Sequence, residues 1–255
     1  MSEDKILTLG YSVLSDRLDN IALPHISLDY EVLISIQNPK ALDVNLPKSF
    51  AFKSFVSNEW GVAKSRNIIL KQADTKYLLF ADDDITFLDA GVCKVIEYLE
   101  SHPECDLVLA QAHDEKGVLR KNYPTRIKRL TSYNSAKAAT YEMVVRVQSV
   151  RGKGIAFDEN FGAGVTNFLG DEYIFITDLL GAAGKGVFLP VTIAVHPADS
   201  SGSLWGTPKD LAARAQVFTR VFGIWAPLWR AGFYLKNFAK INRTGEFIRF
   251  VRGKI

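Results

Sequence analysis

The sequence contains few cysteines and no long run of apolar residues. Only Cys93 and Cys105 occur among its 255 residues, and their spacing is unlike that of a metal site. They favour a reducing compartment and ordinary packing. Because no stretch of about 18 uninterrupted apolar residues is present, no membrane-spanning helix is expected. The first residues lack a basic segment followed by an apolar one, so we expect no signal peptide.

Internal repeats and low-complexity segments are also missing, whereas the charge is distributed unevenly. Residues 1–208 contain 21 Lys and Arg against 26 Asp and Glu, a net charge of −5. Residues 209–255 contain 10 Lys and Arg against 2 Asp and Glu, a net charge of +8. We therefore predict a domain over residues 1–208, long enough to bury its own core, and a basic tail over residues 209–255 that meets an anionic surface.

Apolar runs alternate with helical patterns in the first 115 residues. Strands are predicted at Ile6–Leu9, Glu31–Ile36, Lys76–Ala81 and Leu107–Ala112. Helices are predicted at Val62–Ala73, with Ile68, Ile69 and Ala73 on one face, and at Ala90–Leu99, with Asp89 as N-cap. This alternation predicts an α/β fold with a mainly parallel central sheet flanked by helices.

The pattern loosens after residue 120 and then resumes. Tyr141–Val150 is rich in β-branched residues, a further helix fits Asp171–Leu180, and an apolar strand at Val187–Val195 runs to His196. Gly202–Pro208 has the composition of a linker into the basic tail.

Three consecutive carboxylates follow the buried strand that ends at Ala81. Adjacent like charges at the end of such a strand are costly unless a positive group lies among them. A divalent cation is the simplest such group, and an extended backbone would project Asp82 and Asp84 to one side and Asp83 to the other. The alternative is a solvated acidic turn, and this segment alone leaves both interpretations open.

Four segments in order resemble one known family. They are Gly61-Val62-Ala63-Lys64-Ser65-Arg66-Asn67, then Leu79-Phe80-Ala81-Asp82-Asp83-Asp84, then Phe157-Asp158-Glu159-Asn160-Phe161-Gly162-Ala163-Gly164 with Gly170-Asp171-Glu172, and finally the strand that ends in His196-Pro197. Together they are similar to the GT-A glycosyltransferases of family 2, over roughly residues 5 to 205. The resemblance implies a Rossmann-like GT-A fold, with a nucleotide-sugar half at 1–115, an acceptor half at 116–208 and a helical basic tail.

The resemblance also implies a set of donor-site residues. Asp84 would be the primary metal ligand, with Asp82 on the metal or the ribose and His196 closing the site, and the ion would be Mn²⁺ or Mg²⁺. Arg66 would face the nucleotide, unless it is a helix residue paired to a nearby acid. Asp83 belongs to the same nucleotide-sugar site.

Two positions depart from the family pattern. The catalytic base would be the second acid of a pair, which maps onto Glu172, where the family usually has Asp, so Asp171 stays an alternative. Both acids are also compatible with simply complementing a helix dipole. The second strand ends in Gln37 and Asn38 in place of an acidic segment, and their amides could read a pyrimidine edge. Uracil is therefore the expected base.

The expected activity is metal-dependent transfer of a sugar, with inversion, from a UDP-sugar to a glycan or lipid-linked glycan in bacterial surface polysaccharide synthesis, such as O-antigen or capsule. Two alternatives stay open. A haloacid-dehalogenase-like phosphatase would use Asp82 as nucleophile and Asp84 as acid and base, but Phe175 stands where its later Asp should be. A GT-A-like binding protein without turnover is the other.

The basic tail has two interpretations. Residues 217–238 interleave aromatic residues with Arg and Lys, and Pro227 is expected to divide them into two helices. Such helices suit an anionic membrane interface, which predicts a cytoplasmic protein held at the inner face of the cell membrane. They would equally suit docking on the protein's own sheet or in a homo-oligomer. No nucleic-acid motif accompanies the charge.

Overall fold

Strands and helices alternate along the part of the chain that the computed structural model describes, which comprises residues 5–44, 46, 51–197, 205–241 and 244–254. The strands are β1 Leu7–Leu14, β2 Tyr30–Gln37, β3 Lys53–Ser57, β4 Tyr77–Ala81, β5 Thr86–Phe87, β6 Leu107–His113, β7 Lys128–Arg129, β8 Met143–Arg146 and β9 Gly186–Val195. The helices are α1 Val62–Gln72, α2 Asp89–Ser101, α3 Val147–Gly152, α4 Asp171–Gly181, α5 Pro208–Phe222, α6 Ala226–Lys236, α7 Phe238–Ile241 and α8 Phe247–Arg252.

The strands of these residues form one mixed sheet. Its order is β3-β2-β1-β4-β8-β6-β9-β5, and β7 pairs with β9 outside this path. The longer pairings, among β1 to β4 and between β6 and β9, are parallel. β8 runs antiparallel between β4 and β6. The predicted α/β fold with a mainly parallel sheet flanked by helices is confirmed.

The core lies on both faces of the sheet because successive strand residues point to opposite sides. In β4, Leu78 and Phe80 belong to the cluster under α1, α3 and α4. Leu79 and Ala81 belong to the cluster under α2. Burial on both faces explains why this strand is uninterruptedly apolar, and its carboxyl end is where the three Asp residues follow.

Two helix details differ from the prediction. In α1, Ile69 and Ala73 are buried but Ile68 is only half-buried. In α2 the N-cap is Leu88, and Asp89 is the first helical residue. The Asp89 carboxylate instead accepts hydrogen bonds from the backbone N and the Oγ of Ser27, at 2.8 and 2.6 Å. A contact from a distant segment therefore replaces the local cap.

The basic tail begins with two helices that pack on the body of the protein. The expected division is present, but α5 ends before Gly223, whose φ is +52°, and Pro227 lies in the first turn of α6. Val217 of α5 joins an apolar cluster with Phe161 and Ile174. The guanidinium of Arg220 makes ion pairs with Asp158 and Asp178 at 2.7 and 2.6 Å.

The tail also has a small core of its own. Leu211, Ala215, Tyr234 and Phe250 are buried together between α5, α6 and α8. No helix among the described residues combines the length and apolarity that crossing a membrane requires. The expected linker at Gly202–Pro208 lies partly outside the described residues, and α5 starts at its last residue.

Candidate functional site

The three Asp residues after β4 lie at a turn, and Arg17 lies close to two of them, Asp83 and Asp84. The backbone is not extended through these residues, because the chain turns at Asp83 and Asp84 directly after the strand. Asp82 Oδ1 accepts a hydrogen bond from Arg66 at 3.1 Å. Asp83 Oδ2 lies 2.6 Å from Nε of Arg17. The protein therefore supplies cationic partners for the carboxylates that a divalent ion was expected to neutralise.

Asp83 attaches this turn to the 3₁₀ helix Ser15–Asn20. Its side chain is 9% exposed and also accepts a hydrogen bond from Asn20 at 3.2 Å. Burial raises the pKa of Asp83, and the nearby charge of Arg17 and the Asn20 hydrogen bond oppose that rise. These contacts fix the turn, and a contact of Asp83 with a nucleotide stays a prediction.

Asp84 and His196 face one another across the site. Asp84 Oδ1 and His196 Nε2 are 3.9 Å apart, although the two residues lie on different strand ends. Nδ1 of His196 is 2.9 Å from the carbonyl oxygen of Pro197, and because a carbonyl only accepts, Nδ1 is the donor. A neutral imidazole then presents an unprotonated Nε2 to Asp84. The ring stacks on Tyr141 with centroids 4.8 Å apart, which fixes its orientation.

This pair fits a divalent ion that completes its coordination with substrate oxygens. Ligands about 2.1 Å from one octahedral ion lie roughly 3–4 Å apart, which agrees with the separation of the two acceptor atoms. Mg²⁺ in particular is commonly held by one or two protein groups together with phosphates and water. Within the described residues no group of three or more His, Cys, Asp and Glu side chains converges on one point. The protein's own donor set is therefore small.

Arg66 lies at the centre of the site and is 5% exposed. Besides Asp82, its guanidinium contacts Asp171 Oδ2 at 2.5 Å and Glu172 Oε1 at 3.6 Å. Burial alone would lower the pKa of the guanidinium, but the charges of Asp171, Asp82 and Glu172 outweigh it and raise that pKa. Arg66 therefore joins the strand end that carries the Asp residues to the start of α4.

The two acids at the start of α4 have different environments. Asp171 is 3% exposed and forms the short ion pair with Arg66. The side chain of Glu172 is 22% exposed, and its Oε1 accepts a hydrogen bond from Oγ1 of Thr140 at 2.8 Å. Burial and the neighbouring charge of Asp171 raise the pKa of Glu172 to about 7, against the opposing effect of Arg66. A carboxyl group with this pKa can exchange a proton near neutral pH.

Glu172 also lines a cavity of about 990 Å³, which we call the tail cavity. Its walls are the start of α4, the segment 132–138 and the tail helices from Arg214 to Lys240. The start of α4 and the basic tail thus meet at the carboxyl group of Glu172. A molecule in this cavity would reach Glu172 from the tail side.

Gln37 and Asn38 are buried at the end of β2 and bond to the backbone. Gln37 Oε1 accepts from the backbone N of Gly61 at 3.1 Å, directly before α1. The Asn38 amide exchanges two hydrogen bonds with the backbone of Leu42, at 2.8 and 2.9 Å. Both side chains shape the loops beside the expected nucleotide site, and recognition of a base by them stays a prediction.

Several residues of the site were not selected from the sequence. Asn67 exchanges hydrogen bonds of 2.8 and 3.0 Å with the backbone of Phe157 and so holds the loop that begins there. Its place beside Arg66 in the family motif was the available signal. Arg17 and Thr140 belong to segments without a recognisable pattern, and the β-branched segment that begins at Tyr141 does not indicate a contact with His196. Only folding brings these residues to the site.

The sequence matches the family model described as glycosyl transferase family 2 over residues 29–159, which is half of the chain. A search of curated proteins found no match. The match starts just before β2 and ends in the loop held by Asn67, so it includes the Asp turn and Arg66. It favours the glycosyltransferase over the phosphatase.

Solved structures of S. aureus TarS are similar in fold. The TarS chain aligns with a TM-score of 0.57 and 14% identity, over 92% of this protein but only 44% of TarS. TarS 1–349 aligns with a TM-score of 0.60 and 13% identity, over 95% of this protein and 74% of that chain. TarS 1–349 in complex with UDP-GlcNAc aligns with a TM-score of 0.56 and 13% identity, over 96% of this protein and 81% of that chain. This protein thus spans less than half the length of the longer TarS chain. The family match and the shared architecture together establish that it belongs to glycosyl transferase family 2 and has the GT-A fold of these enzymes.

Proposed function

We propose that this protein transfers a sugar from a nucleotide-sugar, with UDP as the expected carrier, to a hydroxyl group of a glycan or lipid-linked glycan acceptor. The observation that carries the proposal is the contact of Arg66 with both Asp82 and Asp171. This contact connects the Asp turn, which suits a diphosphate, with the two acids at the start of α4, which suit the activation of a hydroxyl group. Similar folds bind UDP and UDP-GlcNAc in two S. aureus TarS complexes, which supports a uridine nucleotide. Bacterial surface polysaccharide synthesis, of O-antigen or capsule type, is the expected setting.

The donor side would hold the diphosphate through Asp84 and His196 with a divalent ion, Mn²⁺ or Mg²⁺. When bound, the ion would supply positive charge to the leaving diphosphate. Arg66 is already committed to three carboxylates, so its effect on the donor would pass through Asp82. Gln37, Asn38 and Asp83 are assigned to the walls of the nucleotide site.

On the acceptor side, Glu172 is the preferred base and Asp171 its charged neighbour. Glu172 opens to a cavity and has a pKa of about 7, whereas Asp171 is bound to Arg66. In the proposed step the acceptor hydroxyl gives its proton to Glu172 while its oxygen bonds to the anomeric carbon. The bond from that carbon to the diphosphate breaks, and the diphosphate leaves with the electron pair. Attack from the face opposite the leaving group gives inversion.

A nucleotide-sugar panel tests this proposal. Thermal unfolding is followed with UDP, UDP-sugars and other nucleotide-sugars, with MnCl₂ or with a chelator. We expect stabilisation by UDP compounds that disappears with the chelator, and release of UDP when an acceptor is added. Metal-dependent binding of UDP without turnover would indicate the inactive binding protein. Hydrolysis of a simple phosphomonoester without any nucleotide requirement would indicate the phosphatase.

The tail supports a location at the cytoplasmic face of a membrane. Ile224 and Trp225, between α5 and α6, and Leu228, in the first turn of α6, are 88%, 65% and 66% exposed, and we call them the apolar tip. Amphipathic segments that combine such side chains with Lys and Arg lie in membrane interfaces. The tail also packs on the body through Val217 and Arg220, so the two interpretations of the tail are compatible.

A further inference from the structure

The tail cavity has an unusual balance of charge. Its lining contains Lys137, Arg214, Lys236 and Lys240, and the only carboxylate in that lining, among the described residues, is Glu172. Arg214 is paired with Asp210 at 2.8 Å. The other three cations are exposed and have no ion pair with a described residue. An entering molecule therefore meets a surplus of positive charge around the proposed base.

The cations come from two sides of the cavity. Lys137 belongs to the segment before the 3₁₀ helix Thr140–Glu142, and Lys236 and Lys240 belong to the last turn of α6 and to α7. Ammonium groups at the end of a helix also lie where the unpaired carbonyls favour positive charge, so their placement costs little in the absence of a ligand. They remain available to an anion.

The same cavity has an aromatic wall. Tyr133, 68% exposed, stacks against Trp229 with ring centroids 4.9 Å apart, and Trp229 stacks against Phe222 at the same distance. The flat faces of such rings suit the C–H faces of sugar rings. Because aromatic side chains have few rotatable bonds, contact with them costs little side-chain entropy. A cavity that combines positive charge with aromatic surface suits a sugar that also carries an anionic group.

We propose that the tail cavity binds the acceptor and that this acceptor is a saccharide bearing a phosphate ester or diphosphate. Lys236, Lys240 and Lys137 contact the phosphate oxygens, the aromatic wall contacts the sugar, and a sugar hydroxyl reaches Glu172. Lysine binds phosphate as a point charge and requires no fixed fork geometry, which suits a flexible phosphate linkage. This inference rests on the proposed function, because it names the acceptor class of that reaction.

The test compares two soluble probes that differ only in phosphate: a hexose 1-phosphate and the methyl glycoside of the same hexose. Their dissociation constants are measured by quenching of tryptophan fluorescence with UDP and MnCl₂ present, to fill the donor site. The proteins are the wild type, Lys236→Gln/Lys240→Gln, Lys137→Gln, and the control Lys71→Gln/Lys94→Gln, whose lysines are exposed on α1 and α2. We expect the wild type and the control to bind the phosphorylated probe at least about tenfold more tightly, and the double cavity variant to lose most of this difference.

A second arm distinguishes the source of the phosphate. The same saccharide, attached through a diphosphate to a polyprenyl chain in phosphatidylcholine vesicles, is compared with the soluble phosphate as an acceptor for turnover. The inference is wrong if phosphate adds nothing to binding by the wild type, or if the cavity variants keep the whole difference. If the panel of nucleotide-sugars shows UDP binding and turnover while phosphate has no effect, only this inference fails. If no UDP compound binds, the proposed function fails whatever the cavity binds.

Discussion

One guanidinium joins two halves of the site: Arg66 Nη1 lies 2.5 Å from Asp171 Oδ2 while its Nη2 lies 3.1 Å from Asp82 Oδ1. Asp82 follows the strand that leads to the expected diphosphate, and Asp171 begins the helix that carries the proposed base. Because Arg66 and Asp171 are buried and Asp82 is partly buried, water screens their charges from one another less than it would at the surface. A change at one acid is therefore felt at the other.

This arrangement predicts that Arg66 is needed for stability. Replacing Arg66 with Gln leaves Asp171 buried beside Glu172 without its cation, and removing one member of a buried pair costs about 3–5 kcal/mol. Urea denaturation measures the free energy of unfolding. Asp171→Asn should cost clearly less, because Arg66 keeps Asp82 and Glu172 as partners. Equal stability of Arg66→Gln and the wild type would show that the ion pairs are not formed in solution.

The raised pKa of Glu172 predicts an acidic limb in the activity profile. The carboxylate must be ionised to accept a proton, so kcat should fall below pH 7 and approach a tenfold loss for each further unit. Glu172→Gln should reduce kcat by about a hundredfold or more while the dissociation constant for UDP stays close to that of the wild type. Loss of UDP binding in step with kcat would assign the residue to the donor site instead.

The two charged neighbours of Glu172 should shift the midpoint of the acidic limb, the pH at which kcat is half its maximum, in opposite directions. The charge of Asp171 raises the pKa of Glu172 and that of Arg66 lowers it. Asp171→Asn should therefore shift the midpoint below pH 7, and Arg66→Gln should shift it above. Asp178→Asn, at the other end of α4, is the control and should leave it unchanged. A midpoint that is the same in all four proteins would mean that another group controls the limb.

Asp84 is the residue that most directly tests the metal site. Asp84→Asn keeps the size of the side chain but removes the charge of the proposed metal ligand opposite His196. We expect the MnCl₂-dependent stabilisation by UDP to disappear and turnover to fall by at least about a hundredfold. Asp29→Asn, an exposed residue before β2, is the matched control. Wild-type activity in Asp84→Asn that also survives a chelator would contradict a metal-assisted reaction.

Much of the fold could be predicted because it depends on local patterns. The apolar runs that became β1, β2, β4 and β6 are buried on both faces of the sheet, and such runs stand out in a sequence. Helix α4 begins at Asp171 as expected, since Gly170, in a left-handed conformation with φ of +92°, precedes it. The ion pair of Asp83 in this turn could not be predicted, because its partner Arg17 lies far away in the sequence.

The site was less predictable because its side chains are shared between distant segments. The family pattern selected Arg66, Asp84, Glu172 and His196, but it could not indicate that Arg66 contacts acids on both sides. No local rule relates Thr140 to Glu172 or Tyr141 to His196, since folding alone brings these residues together. The burial that raises the pKa of Glu172 also arises only in the folded protein, and the sequence therefore left the choice of base open.

The contacts of the tail change what its removal should do. A protein that ends near residue 203 would lack the whole basic tail. Such a shortened protein loses Val217 from the cluster with Phe161 and Ile174 and the partner of Asp158. We now expect it to unfold at a lower temperature than the wild type. Arg220→Ala alone should cost about 1 kcal/mol, because this ion pair is partly exposed. An unchanged melting temperature after removal of the tail would show that the tail does not pack on the body.

Attachment to membranes is better tested at the apolar tip, whose side chains are exposed and can be changed without loss of the core. Ile224→Ser/Trp225→Ser/Leu228→Ser should bind vesicles with anionic lipid at least about tenfold more weakly, since burying each large apolar side chain contributes about 1.5–3 kcal/mol. Binding of the wild type should also weaken as salt rises, because each Lys or Arg near such a surface contributes about 1 kcal/mol that salt screens.

The control for the apolar tip is Val118→Ser/Leu119→Ser/Ile127→Ser, which removes side chains that are 61%, 47% and 55% exposed in a different part of the protein. This control should bind vesicles as the wild type does, because its changes lie outside the basic tail. If the wild type ignores anionic vesicles but elutes as a dimer that the tip variant converts to a monomer, the tip is a contact between two copies. If neither property changes, the tip has no role in either.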